Sequence, residues 1–126
     1  MTFKIDSETF NVGISNIERK TRIEKENIGT TLDGKEHYEI IGTYIDYVLT
    51  INCNGINATA YDRLYEVASE ATESHSVQLP YNQTTITFNA TISIGNSHIT
   101  QDFNNFRKWS ELKITFTAIE PRDEWW

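Results

Sequence analysis

Three stretches of this chain alternate apolar and polar side chains with a period of two, and that alternation limits the fold more than any other feature. "TYIDYVLTINCN" (43–54) puts Ile45, Tyr47, Leu49, Ile51 and Cys53 on one face, against Tyr44, Asp46, Val48, Thr50 and Asn52. "TTITFNATISIG" (84–95) does the same with Ile86, Phe88, Ala90, Ile92 and Ile94, and "ELKITFTAIEP" (111–121) with Leu112, Ile114, Phe116 and Ala118. Period two is the repeat of a pleated strand. One apolar and one polar face per strand predicts an antiparallel sheet wetted on one side. "SHSVQLPY" (74–81) reads as a shorter strand, and "PYNQT" (80–84) as the turn after it.

A single segment follows the helical period. "TAYDRLYEVASEA" (59–71) places Tyr61, Leu64, Tyr65 and Ala68 on one stripe. Thr59 or Asn57 is the expected N-cap, with Asp62 in the first turn. Such a short helix is not stable alone, so its stripe, both tyrosines included, is expected in the core against the sheet. "GNSHITQDFNNFRKW" (95–109) reads as an irregular loop, and "PRDEWW" (121–126) as a terminal tail. Pro121 stops the last strand, and the terminal tryptophans are expected outside the core. The element order predicts one domain, 1–126. Its fold class is all-β and mainly antiparallel: a sandwich or split β-barrel with one flanking α-helix and a long β-hairpin arm.

The arm raises a separate question. Asp33-Gly34 is a hairpin-turn signal, yet "NIERKTRIEKENI" (16–28) before it is charged at nearly every second position. Alternation sets Glu18, Lys20, Arg22, Glu24 and Glu26 on one face and Ile17, Arg19, Thr21, Ile23 and Lys25 on the other. Neither face enters a dry core intact, because unpaired buried charges are costly. An exposed ribbon whose charges guard its edge against aggregation is one reading. The other is an assembly surface whose charges set register and partner choice. Glu18, Arg19, Lys20, Arg22, Glu24, Lys25 and Glu26 are its candidate residues. Residues 1–35 carry six acidic and six basic side chains, so the net charge of −7 belongs to the remainder. That acidic remainder argues against nucleic-acid binding through phosphate neutralisation.

No catalytic constellation is legible. His37, His75 and His98 are scattered, and none has a partner at metal-ligand spacing. Cys53, the only cysteine, falls on an apolar strand face and reads as a small core hydrophobe. There is no glycine-rich phosphate loop and no nucleophile elbow. The expectation is a non-enzyme without cofactor or metal. The sequons at Asn57, Asn82 and Asn89 read as chance in a chain rich in Thr and Asn. The N-terminus has no apolar run of signal-peptide length, and no stretch approaches the ~20 apolar residues of a membrane span. A lone cysteine fits a reducing compartment, so synthesis and assembly are expected in the cytoplasm, with no membrane contact.

"VGISNI" (12–17), the charged strand, and "LDGKEHYEIIGTYIDYVLTI" (32–51) together resemble the N-terminal domain of phage distal tail proteins and the related tail tube proteins. The resemblance includes a Gly-containing turn and a G-x-Y-x-D step, here Gly42, Tyr44 and Asp46. "WSELKITFTAIEP" (109–121) looks like the closing strand of such domains. The similarity covers residues 8–121, and the chain has no room for the second, carbohydrate-binding domain of a full distal tail protein. It implies a split β-barrel with one flanking helix, assembling into a ring, expected to be hexameric, around a channel. DNA passes through that channel without specific binding. Other phage tail proteins are the implied partners, and the virion tail the implied location, after assembly in the bacterial host cytoplasm. The alternative is a monomeric β-barrel module for a small or carbohydrate ligand, with Trp109, Trp125, Trp126 and surface tyrosines as stacking platforms.

Overall fold

The alternating stretches become strands where the sequence puts them, inside a sheet larger than those stretches alone. The computed structural model describes all residues except 1, 31–33, 35, 53–57, 104–105, 123–124 and 126, and the backbone alone at 26–30, 36–40, 58 and 106. In chain order the elements are β1 (Thr2–Ile5), β2 (Glu8–Asn11), β3 (Gly13–Thr30), β4 (Glu36–Asn52), α1 (Ala58–Ala68), β5 (His75–Tyr81), β6 (Thr84–Ile94), β7 (Ile99–Phe103), β8 (Phe106–Trp109) and β9 (Leu112–Ala118). Seven strands make one sheet in the order β2-β1-β5-β6-β9-β4-β3, and β7 pairs with β8 apart from it. Every pairing is antiparallel.

The topology forces the sheet to curl. β2 and β3 are its two edges, yet only Val12 separates Asn11 from Gly13. Laid flat, seven strands would hold those edges roughly 29 Å apart at about 4.8 Å per strand. Two residues of chain span only about 7 Å. The sheet therefore wraps until its edges meet at Val12, which is buried. No pairing joins β2 to β3 among the described residues, so the curl stays open.

The core fills the inside of this curl. Ile45, Tyr47, Leu49 and Ile51 of β4, Ile86, Phe88 and Ala90 of β6, and Leu112, Ile114, Phe116 and Ala118 of β9 are buried as their alternation predicts. Ile92 and Ile94 are half-buried and pack on the same cluster. Phe3, Ile5, Phe10 and Val12 complete it from the first hairpin. Cys53 lies outside the described residues. Two buried tyrosines pass their hydroxyls to main-chain acceptors: Tyr47 donates to Pro80 O at 2.9 Å and Tyr61 to Ser110 O at 3.0 Å.

Four expectations need correction. The helix buries Tyr61, Leu64, Val67 and Ala68, while Tyr65 stands 42% exposed. The apolar stripe is rotated toward Val67, leaving the Tyr65 ring beside the β7–β8 hairpin. No acidic residue lies in the helix's first turn, and Thr59 is inside the helix, so neither Asp62 nor Thr59 plays the expected role there; Asn57 lies outside the described residues. The 95–109 stretch is a hairpin, with Ile99 paired to Trp109 and Phe103 to Phe106. The C-terminal segment is not a loose tail. Trp125 stacks on Phe88 with ring centroids 4.3 Å apart, and its Nε1 donates to Glu120 O at 3.0 Å. Trp126 lies outside the described residues.

The first hairpin turns on Asp6 and Ser7, both with positive φ (52° and 69°), the conformation a two-residue turn between twisted strands needs. Neither is glycine, so the turn is held from outside. Asp6 accepts hydrogen bonds from His75 Nδ1 at 2.6 Å and Ser76 N–H at 3.0 Å, and its own N–H donates to Ser76 O at 2.6 Å. Burial pushes the Asp6 carboxyl up, but the bonds from His75 and Ser76 and the His75 charge together hold it below its ordinary value of 3.8.

Truncating the buried aromatics, Phe88→Ala or Phe116→Ala, is expected to cost about 3–5 kcal/mol each in chemical denaturation. A loss below about 1 kcal/mol would show that these faces do not form the core. For Asp6 the sign follows from its lowered value. The stabilisation is fully present above the ordinary carboxylate value and disappears as pH falls through the folded one. Asn also tolerates positive φ, so Asp6→Asn keeps the turn and removes the titration. The drop in urea midpoint between pH 6 and pH 3 should be smaller in this variant than in the parent chain.

Candidate subunit interface

β4 belongs to two structures. β9 pairs with it only over Tyr47–Ile51, while β3 follows it out to the pair Thr30–Glu36. Among the described residues no third strand pairs with the β3–β4 hairpin from Asp46 outward. That is roughly 35 Å of two-stranded ribbon at about 3.4 Å per residue. A ribbon of two strands is marginal in water when nothing covers it. Asp33 lies outside the described residues, and Gly34 has φ 83°, as a turn glycine there would.

Register fixes which side chains share a face. Ile17, Arg19, Thr21 and Ile23 sit opposite Leu49, Tyr47, Ile45 and Thr43, which continue the core side of the sheet. Glu18, Lys20, Arg22 and Glu24 sit opposite Val48, Asp46, Tyr44 and Gly42 on the outer side. Three register shifts, at Ile14/Asn16, Glu24/Lys25 and Asn27/Gly29, each leave one extra residue unpaired. Such bulges bend and twist an edge, and they blunt it as a template for further strands.

The candidate residues divide sharply. Arg22 is spent inside the subunit. Its Nε donates to Asp46 Oδ2 at 2.8 Å, its Nη2 to Ala118 O at 2.9 Å, and its Nη1 to Glu24 Oε1. The guanidinium also lies 4.5 Å from the centroid of the Tyr44 ring. The hydrogen bond to Asp46 is the main reason its pKa is raised. Asp46 Oδ1 in turn accepts the Ala118 N–H at 2.9 Å. Arg19 is engaged as well: its Nη1 donates to Asn82 Oδ1 at 2.9 Å, and it lies over the Tyr81 ring, tying β3 across the curl to the β5–β6 turn. Glu18, Lys20 and Lys25 are exposed and have no ion-pair partner among the described residues. The Glu26 side chain lies outside the described residues. The surface available to a partner is therefore narrower than the seven charges suggested.

The G-x-Y-x-D step acquires a structural meaning that its spacing alone did not disclose. Gly42, Tyr44 and Asp46 share the outer face of β4 and hold the end of the chain. Asp46 takes the Ala118 N–H, Tyr44 lies beneath Arg22, and Gly42 leaves room for Pro121. A Cβ at position 42 would lie 2.6 Å from Pro121 Cβ. Spacing at i, i+2 and i+4 placed the three on one face; the chain that crosses them comes from far along the sequence.

His75 is committed to Asp6. No group of three or more His, Cys, Asp or Glu residues able to hold a metal occurs among the described residues. No described helix is long and apolar enough to cross a membrane. No protein-family model matches the chain, and no curated protein matches it.

Arg22→Ala is expected to cost about 1.5–3 kcal/mol, because it strips partners from a largely buried carboxylate and from the Ala118 carbonyl. Lys20→Ala, one rung away and facing solvent, should change stability by no more than about 0.5 kcal/mol. Paired urea titrations check the contrast, and equal losses would mean that the clamp does not hold the closing strand.

Proposed function

We propose that this chain is a structural component of a phage or prophage tail, a subunit of the tube or of the ring joining tube to tip. In this reading it assembles with copies of itself, six being the expected number, and with other tail proteins, around a channel through which DNA passes. The observation that carries the reading is the ribbon beyond Asp46: among the described residues, two strands with no third strand paired to them, and exposed Glu18, Lys20 and Lys25 with no ion-pair partner. An element of that kind is marginal in a free subunit and gains its stability from a second surface. The resemblance of 12–17, 32–51 and 109–121 to distal tail and tail tube proteins points the same way. The charge distribution suits it. The whole net charge of −7 lies outside the first 35 residues, and a bore built from such surface repels phosphates.

The competing reading, a monomeric module for a small or carbohydrate ligand, relied on exposed tryptophans. Trp125 is turned inward onto Phe88, which leaves Trp109 as the described tryptophan still suited to a platform.

The test changes charges that have no ion-pair partner among the described residues. Lys20→Glu with Lys25→Glu should leave the monomer folded and block the rings or tubes seen by electron microscopy of the concentrated protein. The defect should depend on ionic strength, as screened rim charges do. A parent chain that stays monomeric alone and with its tail partners, or a double variant that assembles normally, would overturn the proposal.

A further inference from the structure

A cleft of about 340 Å3 lies between α1 and the base of the β7–β8 hairpin, lined by Tyr61, Asp62, Tyr65, Glu66, Ser97 and Trp109. Its walls are fixed. Tyr61 donates to Ser110 O, and the hairpin base is locked by Ser110 N–H to His98 O at 2.7 Å and His98 N–H to Ser110 Oγ at 3.1 Å. The lining joins aromatic surface to two carboxylates, and no basic side chain is among its described residues. Glu66 touches Arg63 at 3.4 Å, while Asp62 has no hydrogen-bond or ion-pair partner among the described residues. Ring faces beside carboxylates select a cation. Ile99, opposite Trp109 in the register and 44% exposed, extends the apolar surface at the rim.

The arm offers the complement. On the face of β3 that carries Ile17, Arg19 and Thr21, the next residues outward are Ile23, 57% exposed, and Lys25, exposed and with no ion-pair partner among the described residues. An apolar side chain two residues from a free ammonium matches a recess that is aromatic and acidic. A subunit cannot fill its own cleft. β4 runs from the arm to Ile51, which pairs with Leu112 at the start of β9, beside the cleft's Trp109. Lys25 pairs with Ile40, eleven residues from Ile51, or roughly 35 Å at about 3.3 Å per residue. The protrusion and the recess lie at opposite ends of the sheet. That is the arrangement of a head-to-tail contact, which closes into rings or continues as a stack.

Building on the assembly reading above, we propose that this cleft is the socket for the arm of a second copy: Ile23 of that copy lies against the aromatic rim, and its Lys25 ammonium sits over Tyr65 and Trp109 against Asp62 and Glu66. The contact is made by side chains, in keeping with an edge that its bulges make unsuitable for strand addition.

The test mixes ordinary protein with 15N-labelled protein at assembling concentration, adds a carbodiimide that joins carboxylates to amines, and identifies the linked peptides by mass spectrometry. Links between Lys25 and Asp62 or Glu66 carrying one labelled and one unlabelled partner are expected. Asp62→Asn with Glu66→Gln, both on the exposed face of α1, should weaken association about tenfold with the monomer intact. Tyr65→Ala should weaken it too. Pairing Lys25→Glu with Asp62→Lys should restore association relative to Lys25→Glu alone. If the carboxylate variant assembles as the parent does while Lys20→Glu with Lys25→Glu does not, the socket is wrong and the arm is still an interface. If the parent chain never associates, both proposals fall.

Discussion

Asp46 stands where the sheet ends and the arm begins, and both depend on what it binds. The ladder between β4 and β9 stops at Tyr47 and Phe116, two residues short of the end of β9. Past that point Ala118, still paired with Ala90 of β6, has no ladder partner on β4, and it is buried. Buried main-chain groups need partners, and here side chains supply both: Asp46 accepts the N–H and Arg22 donates to the carbonyl. The same two side chains bind each other, so one charged pair joins β3, β4 and β9. Neither charge stands without its counterpart in a site with little access to water, the condition under which such a pair survives partial burial. The segment after β9 then starts from a fixed point, and it can bring Pro121 to Gly42 and Trp125 onto Phe88.

What was legible in the sequence follows from what each element buries. β4, β6 and β9 each put one face into the core, so their period is plain in the sequence; Ile92 and Ile94 are half-buried, Thr50 of the opposite face is buried too, and Cys53 lies outside the described residues. β1 and β2 have four residues each, too few for a period to be seen. β7 has every residue exposed; a strand that buries neither face writes no alternation, and its sequence reads as loop. Val67 is buried and Tyr65 exposed because a stripe on so short a helix can rotate without changing its composition, and its packing against β2 and β6 is not written in the helix's own sequence. Trp125 was misjudged because its partner, Phe88, is distant in sequence. The same distance explains the candidate interface. The charges on β3 could be named from the sequence, but which of them were already committed could not. Arg22 is bound by Asp46 and Ala118, 24 and 96 residues away.

That commitment changes the physical character of the arm. Mixed charges on both faces of a strand suggest a uniformly solvated ribbon, but its inner half is anchored by Arg19 to the β5–β6 turn and by Arg22 to the clamp. Among the described residues these side-chain anchors lie in the inner half. The subunit is thus a firm curl carrying a weakly supported lever, and the two are joined through a single strand, β4. A surface that meets the lever orders it relative to that strand, because the register of β3 against β4 is fixed by anchors at its base.

β3 is also a long edge, and an open edge of 18 residues would ordinarily invite indiscriminate pairing with other chains. Two features oppose this. Three bulges interrupt the hairpin's regular spacing, and Lys20 and Lys25 place charges along β3. Strand addition is a poor way to choose a partner, since backbone groups are the same in every chain. Side chains presented from a blunted edge discriminate, because they require matching charge and shape at a given distance from the anchor. An assembling subunit has to associate strongly with copies of itself at one geometry and weakly at all others. On the assembly reading proposed above, a bulged, charged ribbon and an aromatic and acidic recess at the far end of β4 answer both demands with the same residues.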